Sequence, residues 1–416
     1  MSQNQIVVIG AGPSGMMAAI SASSAGANVT LVEKNAILGR KLLFTGKGRC
    51  NLTNQSSLDE FLKRFSKNNA QFLRDAFKGL FVEELISFFE MRGLKMKVER
   101  QQRVFPQTDK SSSIVKVLVK ELKKNKVKSL VSIGVKNILV EQDTVVGVSL
   151  HDGEIIQANK VILATGGTSY QFTGSTGDGF KFAERLGHRI IPPSPGLVAL
   201  VSKQKDLNEL SGVTLRNIKL CFRGGKKEIT TSVGEFLFTD FGVSGPLVLS
   251  ASGKVIDWLS DGLKVFVEID FKPGLSSEQL QKRFFKDFKV SPKKNIKNAL
   301  KDFLPRRLVD IFLSRSGISP EKQVNQITSQ ERENLIIFFK HFPIEIKESL
   351  PMEEAMVTRG GISLKDINPR TMESKKVKGL YFAGEVIDVD GDTGGFNLQA
   401  AFSTGYLAGQ SACCCT

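Results

Sequence analysis

An unbroken apolar run, Ile6-Val7-Val8-Ile9, opens the chain, and a glycine-rich hexad, Gly10-Ala11-Gly12-Pro13-Ser14-Gly15, cuts it off. Small and apolar residues continue from Met16 to Ala25, and a second short run, Val29-Thr30-Leu31-Val32, ends at Glu33. A short apolar run bounded by glycine reads as a buried strand and a longer one as a helix, so residues 6–33 predict strand, turn, helix, strand. The segment Gly39–Asn54 is polar and glycine-rich, and Phe and Leu return at helical spacing over Leu58–Arg92. Strand-like alternation spans Val131–Val148. Lys160-Val161-Ile162-Leu163 predicts one more buried strand, running into the turn Ala164-Thr165-Gly166-Gly167.

The pattern changes after Ile190-Ile191-Pro192-Pro193-Ser194-Pro195, a proline cluster of the kind that marks a boundary. Beyond it Leu197–Val201, Val213–Phe222, Glu235–Thr239 and Lys264–Phe271 are short strand candidates separated by glycine and polar turns, which predicts an antiparallel barrel or sandwich. From Ser276 to about Ile346 the spacing is helical, with Phe284, Phe285 and Phe288 as expected buried anchors. Lys378–Glu385 gives a last strand ending in a turn, and Gln399–Ser411 a closing helix.

At 416 residues the chain is too long for one core, so two or three folding units are expected, one inserted in another. The net charge of +16 adds a question that the apolar pattern does not raise. Lysines gather at Lys120–Lys128 and again across Lys282–Lys301. They are either a solvated helix face or a dock for a phosphate-rich partner, since clustered cations displace counterions from a nucleic acid backbone. No basic stretch followed by a long apolar one marks a signal peptide, and no uncharged apolar run reaches the roughly 18 residues of a membrane span. Five cysteines, three of them adjacent at Cys413–Cys415, make no disulfide framework. A soluble protein of the reducing cytoplasm is expected.

The spacing Gly10-x-Gly12-x-x-Gly15 gains its meaning from context, because it follows a strand, opens a helix, and is followed by an acid at the end of the next strand. The glycines allow a tight turn and let a pyrophosphate approach backbone N–H groups at the helix N-terminus, while Glu33 can take ribose hydroxyls. An acid at position 33, where Arg would suit a phosphorylated ribose, points to FAD or NAD. The three histidines, His151, His188 and His341, stand in ordinary contexts, and no metal-ligand spacing is present. Hard chemistry then falls to an organic cofactor with its own reactive centre, as a flavin has.

Longer motifs carry a resemblance. They are Gly39-Arg40-Lys41-Leu42-Leu43-Phe44-Thr45-Gly46-Lys47-Gly48-Arg49-Cys50-Asn51-Leu52-Thr53-Asn54, Arg103–Pro106, Thr173–Gly179, Gly234–Pro246 and Gly379–Gln399. Together they resemble a flavoprotein family of BaiN-like dehydro-bile-acid reductases, or aminoacetone-oxidase-type FAD enzymes, which includes ribosomal RNA dihydrouridine synthases. The resemblance spans essentially the whole chain. It implies an α/β fold: a Rossmann-like, glutathione-reductase-type FAD domain (1–193 and 349–416) interrupted by an antiparallel β-barrel (194–275) and a small basic helical subdomain (276–348). Carried over by motif, Gly10, Gly12, Pro13, Ser14, Gly15, Glu33 and Lys34 would hold the ADP half of FAD, with Ala164, Thr165 and Gly166 beside it. Arg40, Lys41, Gly48, Arg49, Cys50 and Asn51 would approach the cofactor from the second motif. Gly384, Glu385, Gly394, Gly395, Phe396 and Asn397 would line the ribityl chain and ring. Arg359, where a small residue is expected in Thr358–Ile362, and Asp392 are departures that leave substrate choice open.

Several functions fit these residues. One is hydride delivery from flavin N5 to an activated C=C bond of a small enone. Another is the same reduction on a uridine of ribosomal RNA, docked by Lys282–Lys301. A third is oxidation of an amine or aminoketone, and a fourth is a redox-inactive FAD-containing binding protein. With a single dinucleotide fingerprint, NAD(P)H is expected only as a transient electron donor entering the substrate cleft. For proton delivery the candidate pair is Cys50 and Arg49, because a cation beside a thiol lowers its pKa; the other reading, which is preferred, makes Cys50 a small buried residue packing under the ring.

Overall fold

The computed structural model describes residues 4–413 and divides the chain into two compact units, Met1–Gly196 with Met352–Thr416, and Leu197–Pro351. In the first unit a five-stranded parallel sheet runs in the order Leu380–Phe382, Lys160–Leu163, Gln5–Ile9, Asn28–Glu33, Lys128–Val131. Its central strand keeps Ile6, Val7 and Val8 buried in succession, as a parallel strand covered on both faces requires. Helix Pro13–Ser24 packs along helix Phe396–Cys413. The two approach closely because a Cβ on Gly405 or Gly409 would overlap the carbonyl oxygens of Ser14 and Ala18. The helical region after the second motif resolves into Leu58–Leu62, Lys67–Gly79 and Val82–Glu90, which bury Phe61, Phe77 and Phe89.

The proline cluster lies inside this unit. Ile190–Gly196 pairs antiparallel with Val357–Ile362, and its register shifts between Ile191 and Ser194, where Pro192 and Pro193 have no N–H to donate. The chain leaves the unit after Gly196 and returns at Met352, a few residues later at each crossing than expected.

In the second unit a seven-stranded antiparallel sheet closes on itself. Thr214–Gly224 pairs with Val265–Asp270 in continuous register from Lys219–Asp270 to Gly224–Val265, and Lys227–Thr230 stays outside the ring as a hairpin extension. Leu215, Ile218, Leu220 and Phe222 point inward, as do Phe342, Ile344 and Ile346. The last three sit on Phe342–Ser349, which lies between Leu200–Ser202 and Val265–Asp270. The expected helical subdomain 276–348 therefore ends at Lys340 (helices Ser277–Val290, Ile296–Leu300, Arg306–Ser316, Ser329–Lys340), and its last segment is barrel. Phe284 and Phe288 are buried as expected, but Phe285 is exposed, with the Arg332 guanidinium 4.1 Å from its ring centre. No helix among the described residues is long and apolar enough to cross a membrane. Cys413 ends the closing helix, and Cys414 and Cys415 lie outside the described residues.

Candidate cofactor site

The glycine turn of the first unit is built around one open position. Gly10 has φ +99, and a Cβ there would stand 2.5 Å from the Ala164 carbonyl oxygen, while one on Gly15 would overlap the Gly10 carbonyl. A Cβ on Gly12 would meet nothing within 4 Å. Pro13 takes the first helical position, where no N–H is needed, and the free N–H groups and dipole of an N-terminus favour an anion in the space over Gly12. Glu33 braces the turn: Oε2 accepts from Ala11 N–H at 2.8 Å, and Oε1 accepts from the backbone and side-chain N–H groups of Asn35 at 2.8 and 2.7 Å. A carboxylate oxygen keeps a further lone pair, so hydroxyl donors remain acceptable there. Lys34 reaches Thr176 and Asp178 (2.5 and 2.6 Å), and Arg40 donates to Asn35 Oδ1 at 3.2 Å.

Four separate segments meet at Glu385. Its Oε2 accepts from Lys41 Nζ at 2.6 Å, and its Oε1 from the Ser169 hydroxyl at 2.8 Å and Thr358 N–H at 2.6 Å. Thr358 Oγ1 in turn accepts from the N–H groups of Thr168 and Ser169. Gly384 permits the approach: its φ is +76, and a Cβ would overlap the Ser14 hydroxyl at the start of the first helix. Thr404 Oγ1 accepts its N–H at 3.0 Å. Ser169, Thr358 and Thr404 were not among the residues expected here. Their signal was a hydroxyl amid glycine or apolar neighbours, which in a buried segment needs a partner.

The second motif and the last glycine turn also touch. A Cβ on Gly395 would stand 2.5 Å from the Thr53 backbone, and Asn54 Nδ2 donates to the Gly394 carbonyl at 3.2 Å. Phe396 packs edge-on to Phe61, with ring centres 4.7 Å apart. Asn397, expected beside a ring, exchanges two 2.8 Å hydrogen bonds with the backbone of Gly391 and so ties its own loop. Thr53 donates to Gln399 Oε1 at 2.6 Å.

The expected Cys50–Arg49 pair requires correction. Cys50 is fully buried at φ +62, and burial pushes its thiol up to about 12, against a small opposing effect of Thr45. The Arg49 guanidinium is committed elsewhere: Nε meets Asp109 at 2.9 Å, Nη2 meets Glu99 at 2.5 Å, and the group stacks 4.3 Å from the Phe105 ring centre. Both acids are held below the usual carboxylate range, Glu99 chiefly by Arg49 and Asp109 chiefly by Lys97. Next to Cys50, the Asn51 Oδ1 atom is buried with no partner, as are Thr165 Oγ1 and Thr168 Oγ1. Unpartnered buried polar atoms are costly; Thr165 Oγ1 lies against Gly179, while the Asn51 and Thr168 oxygens, with the open space over Gly12, suit a ligand threaded between the motifs.

His188 is buried between the Ala183 carbonyl and the Ser374 hydroxyl, and burial lowers its pKa. His341 pairs with Glu268 at 2.9 Å. No group of metal-ligating side chains comes together among the described residues. On helix Ser277–Val290, Lys282, Lys286 and Lys289 stand opposite the buried Leu280, Phe284 and Phe288, whereas Lys294 and Lys297 of the same expected basic segment pair with Asp302 and Asp310.

A family model for the HI0933-like protein Rossmann domain matches residues 4–411. A 3-dehydro-bile acid delta(4,6)-reductase of Clostridium scindens is 32% identical over 98% of this chain and 99% of its own length. A ribosomal RNA dihydrouridine synthase of Haemophilus influenzae is 31% identical over 99% of both. Among solved structures, a 3-ketosteroid-delta4-(5alpha)-dehydrogenase from Rhodococcus jostii RHA1 superposes with a TM-score of 0.54 at 15% identity, covering 99% of this chain and 97% of that one. That likeness concerns the fold.

Proposed function

Because the chain belongs to the HI0933-like Rossmann-domain family, we propose that it is an FAD-dependent reductase of an activated carbon–carbon double bond, with a uridine of ribosomal RNA as substrate. The cradle supports the cofactor. Gly10, Gly12, Pro13, Ser14 and Gly15 would receive the pyrophosphate, and Glu33 the ribose, with Ala164, Thr165 and Gly166 alongside. The unpartnered Asn51 and Thr168 oxygens would gain donors from the bound group. Bound flavin would supply hydride at N5, replenished by NAD(P)H as a transient donor. Lys41 fixes the Glu385 carboxylate, which would accept from the ribityl hydroxyls. Backbone N–H groups around Gly394 and Gly395, at the start of the closing helix, would favour negative charge on the ring's pyrimidine edge.

One observation carries RNA over a small molecule. Lys282, Lys286 and Lys289 share the exposed face of one helix, followed by exposed Lys293, and none has an ion pair among the described residues. Cations left without carboxylates suit a polyanion. The whole-length likeness to a ribosomal RNA dihydrouridine synthase supports the same substrate. The uracil C5=C6 bond is conjugated to a carbonyl, so it takes hydride as an enone does.

The small-molecule enone is a second reading, favoured by the equally long likeness to the bile acid reductase. The FAD-loaded protein, reduced anaerobically with NADPH, should form dihydrouridine in unmodified ribosomal RNA. Neutralising Lys282, Lys286, Lys289 and Lys293 together should flatten the dependence of RNA affinity on salt. Turnover of a steroid enone acid with no dihydrouridine formed would replace the first reading by the second.

A further inference from the structure

Large aromatic side chains are normally buried, and most phenylalanines of this chain are. Two in the first unit are about half exposed: Phe44 at 50% and Phe172 at 55%. They come from segments far apart in sequence, yet their rings meet edge to face with centres 5.2 Å apart at 86°. Tyr170, held at φ 51 and ψ 53, lies against Phe172 at 5.7 Å. An edge-to-face pair uses one edge and one face, so ring faces remain for a third planar group.

The surroundings say which group. Phe44 ends the short helix Arg40–Phe44, within one turn of Lys41 and its partner Glu385. Exposed Arg40 precedes it and exposed Lys47 follows it. Arg40 is held by the neutral amide of Asn35, and Lys47 forms no ion pair among the described residues. Burial and then the nearby Glu354 carboxylate push the Tyr170 hydroxyl up. Arg40 and Lys47 therefore attract a phosphate, whereas Glu354 near Tyr170 repels one.

We infer that Phe44 and Phe172, flanked by Tyr170 and by Arg40 and Lys47, form a stacking platform for an unpaired base of a single-stranded RNA segment. Rings supply sequence-tolerant affinity and the flanking cations follow the backbone. The platform would hold a nucleotide beside the target, so it rests on the RNA reading proposed above.

The test uses the FAD-loaded protein and fluorescence anisotropy with a labelled single-stranded oligouridylate and a matched RNA duplex. The double variant Phe44→Ala/Phe172→Ala should lose roughly 5- to 150-fold in affinity for the single strand per stack removed. Its duplex affinity, flavin absorbance and salt slope should not move. Phe44→Trp should keep the single-strand affinity, and Lys47→Gln should lower the salt slope by about 0.7, one phosphate contact on a single strand. Unchanged single-strand affinity in the double variant overturns the platform while leaving RNA reduction standing. Equal losses on strand and duplex, or loss of flavin, overturn it in favour of a structural or cofactor-covering role. Wild-type protein that binds neither RNA overturns the RNA reading, and the platform with it.

Discussion

The cofactor site of the first unit and the core of the second place opposite demands on their side chains. In the first, Gly10, Gly395 and Gly405 each press against another segment's backbone and Gly15 against the Gly10 carbonyl of its own turn, where any side chain would collide with a carbonyl or chain atom. In the second, Phe222, Phe236, Phe238, Phe284, Phe312, Phe339 and Phe342 are fully buried and fill volume. Backbone contact points tolerate nothing but glycine, whereas a volume can be refilled by another apolar side chain of similar size. The cofactor site is thus specified position by position, to leave room for a ligand, and the second unit's core in aggregate.

Two neighbouring glycines should break this comparison most sharply. Gly15→Val places a side chain into the Gly10 carbonyl and should yield no folded protein, seen as lost circular dichroism and no soluble expression. Gly12→Leu meets only open space at an ordinary φ of −73, so it should fold as the wild type does but purify colourless. A Gly12→Leu protein with full flavin content would remove the cradle assignment. In the second unit, Phe312→Ala should cost about 3–5 kcal/mol of unfolding free energy, as buried phenylalanine truncations do. Flavin content in the cold should stay unchanged, and Phe312→Leu should cost less. Urea unfolding followed by tryptophan fluorescence reads this directly, since the chain's one tryptophan, Trp258, belongs to the second unit's core.

The same contrast explains what the sequence discloses. The Gly10–Gly15 fingerprint and Glu33 are legible because pyrophosphate chemistry demands residue types at fixed local spacing. The barrel strands are legible by their two-residue period, but the partner of Thr214–Gly224 is Val265–Asp270, and pairing across that distance has no local mark. Phe342–Ser349 escaped because a run of helices precedes it. Helix Pro246–Ser260 escaped although Gly245 followed by Pro246 is a recognisable helix start. Within the site, Lys41 and Glu385 each stand in a quoted motif, yet their 2.6 Å pairing is set by how the closing helix returns to the first. Arg49 misled for the same reason, because its acids, Glu99 and Asp109, lie far along the chain.

Cys50 gives the smallest effect and the finest test of a site specified by position. Burial raises its thiol from an ordinary 9.0 to about 12, so the neutral form is the one that the fold accommodates. A group whose folded pKa lies above its unfolded value stabilises fully below the unfolded value, and that contribution fades as pH climbs toward the folded one. Stability should therefore fall between about pH 9 and 12 in the wild type, and Cys50→Ala should flatten that slope. A thiol this reluctant to ionise, with Arg49 engaged by Glu99 and Asp109, lacks the activation expected of a proton donor. Rapid mixing of Cys50→Ala should leave both flavin reduction and substrate reduction within a few-fold of wild type. A drop of roughly 10²–10⁴ confined to substrate reduction is what a lost general acid produces, and it would return the proton to Cys50 despite its burial.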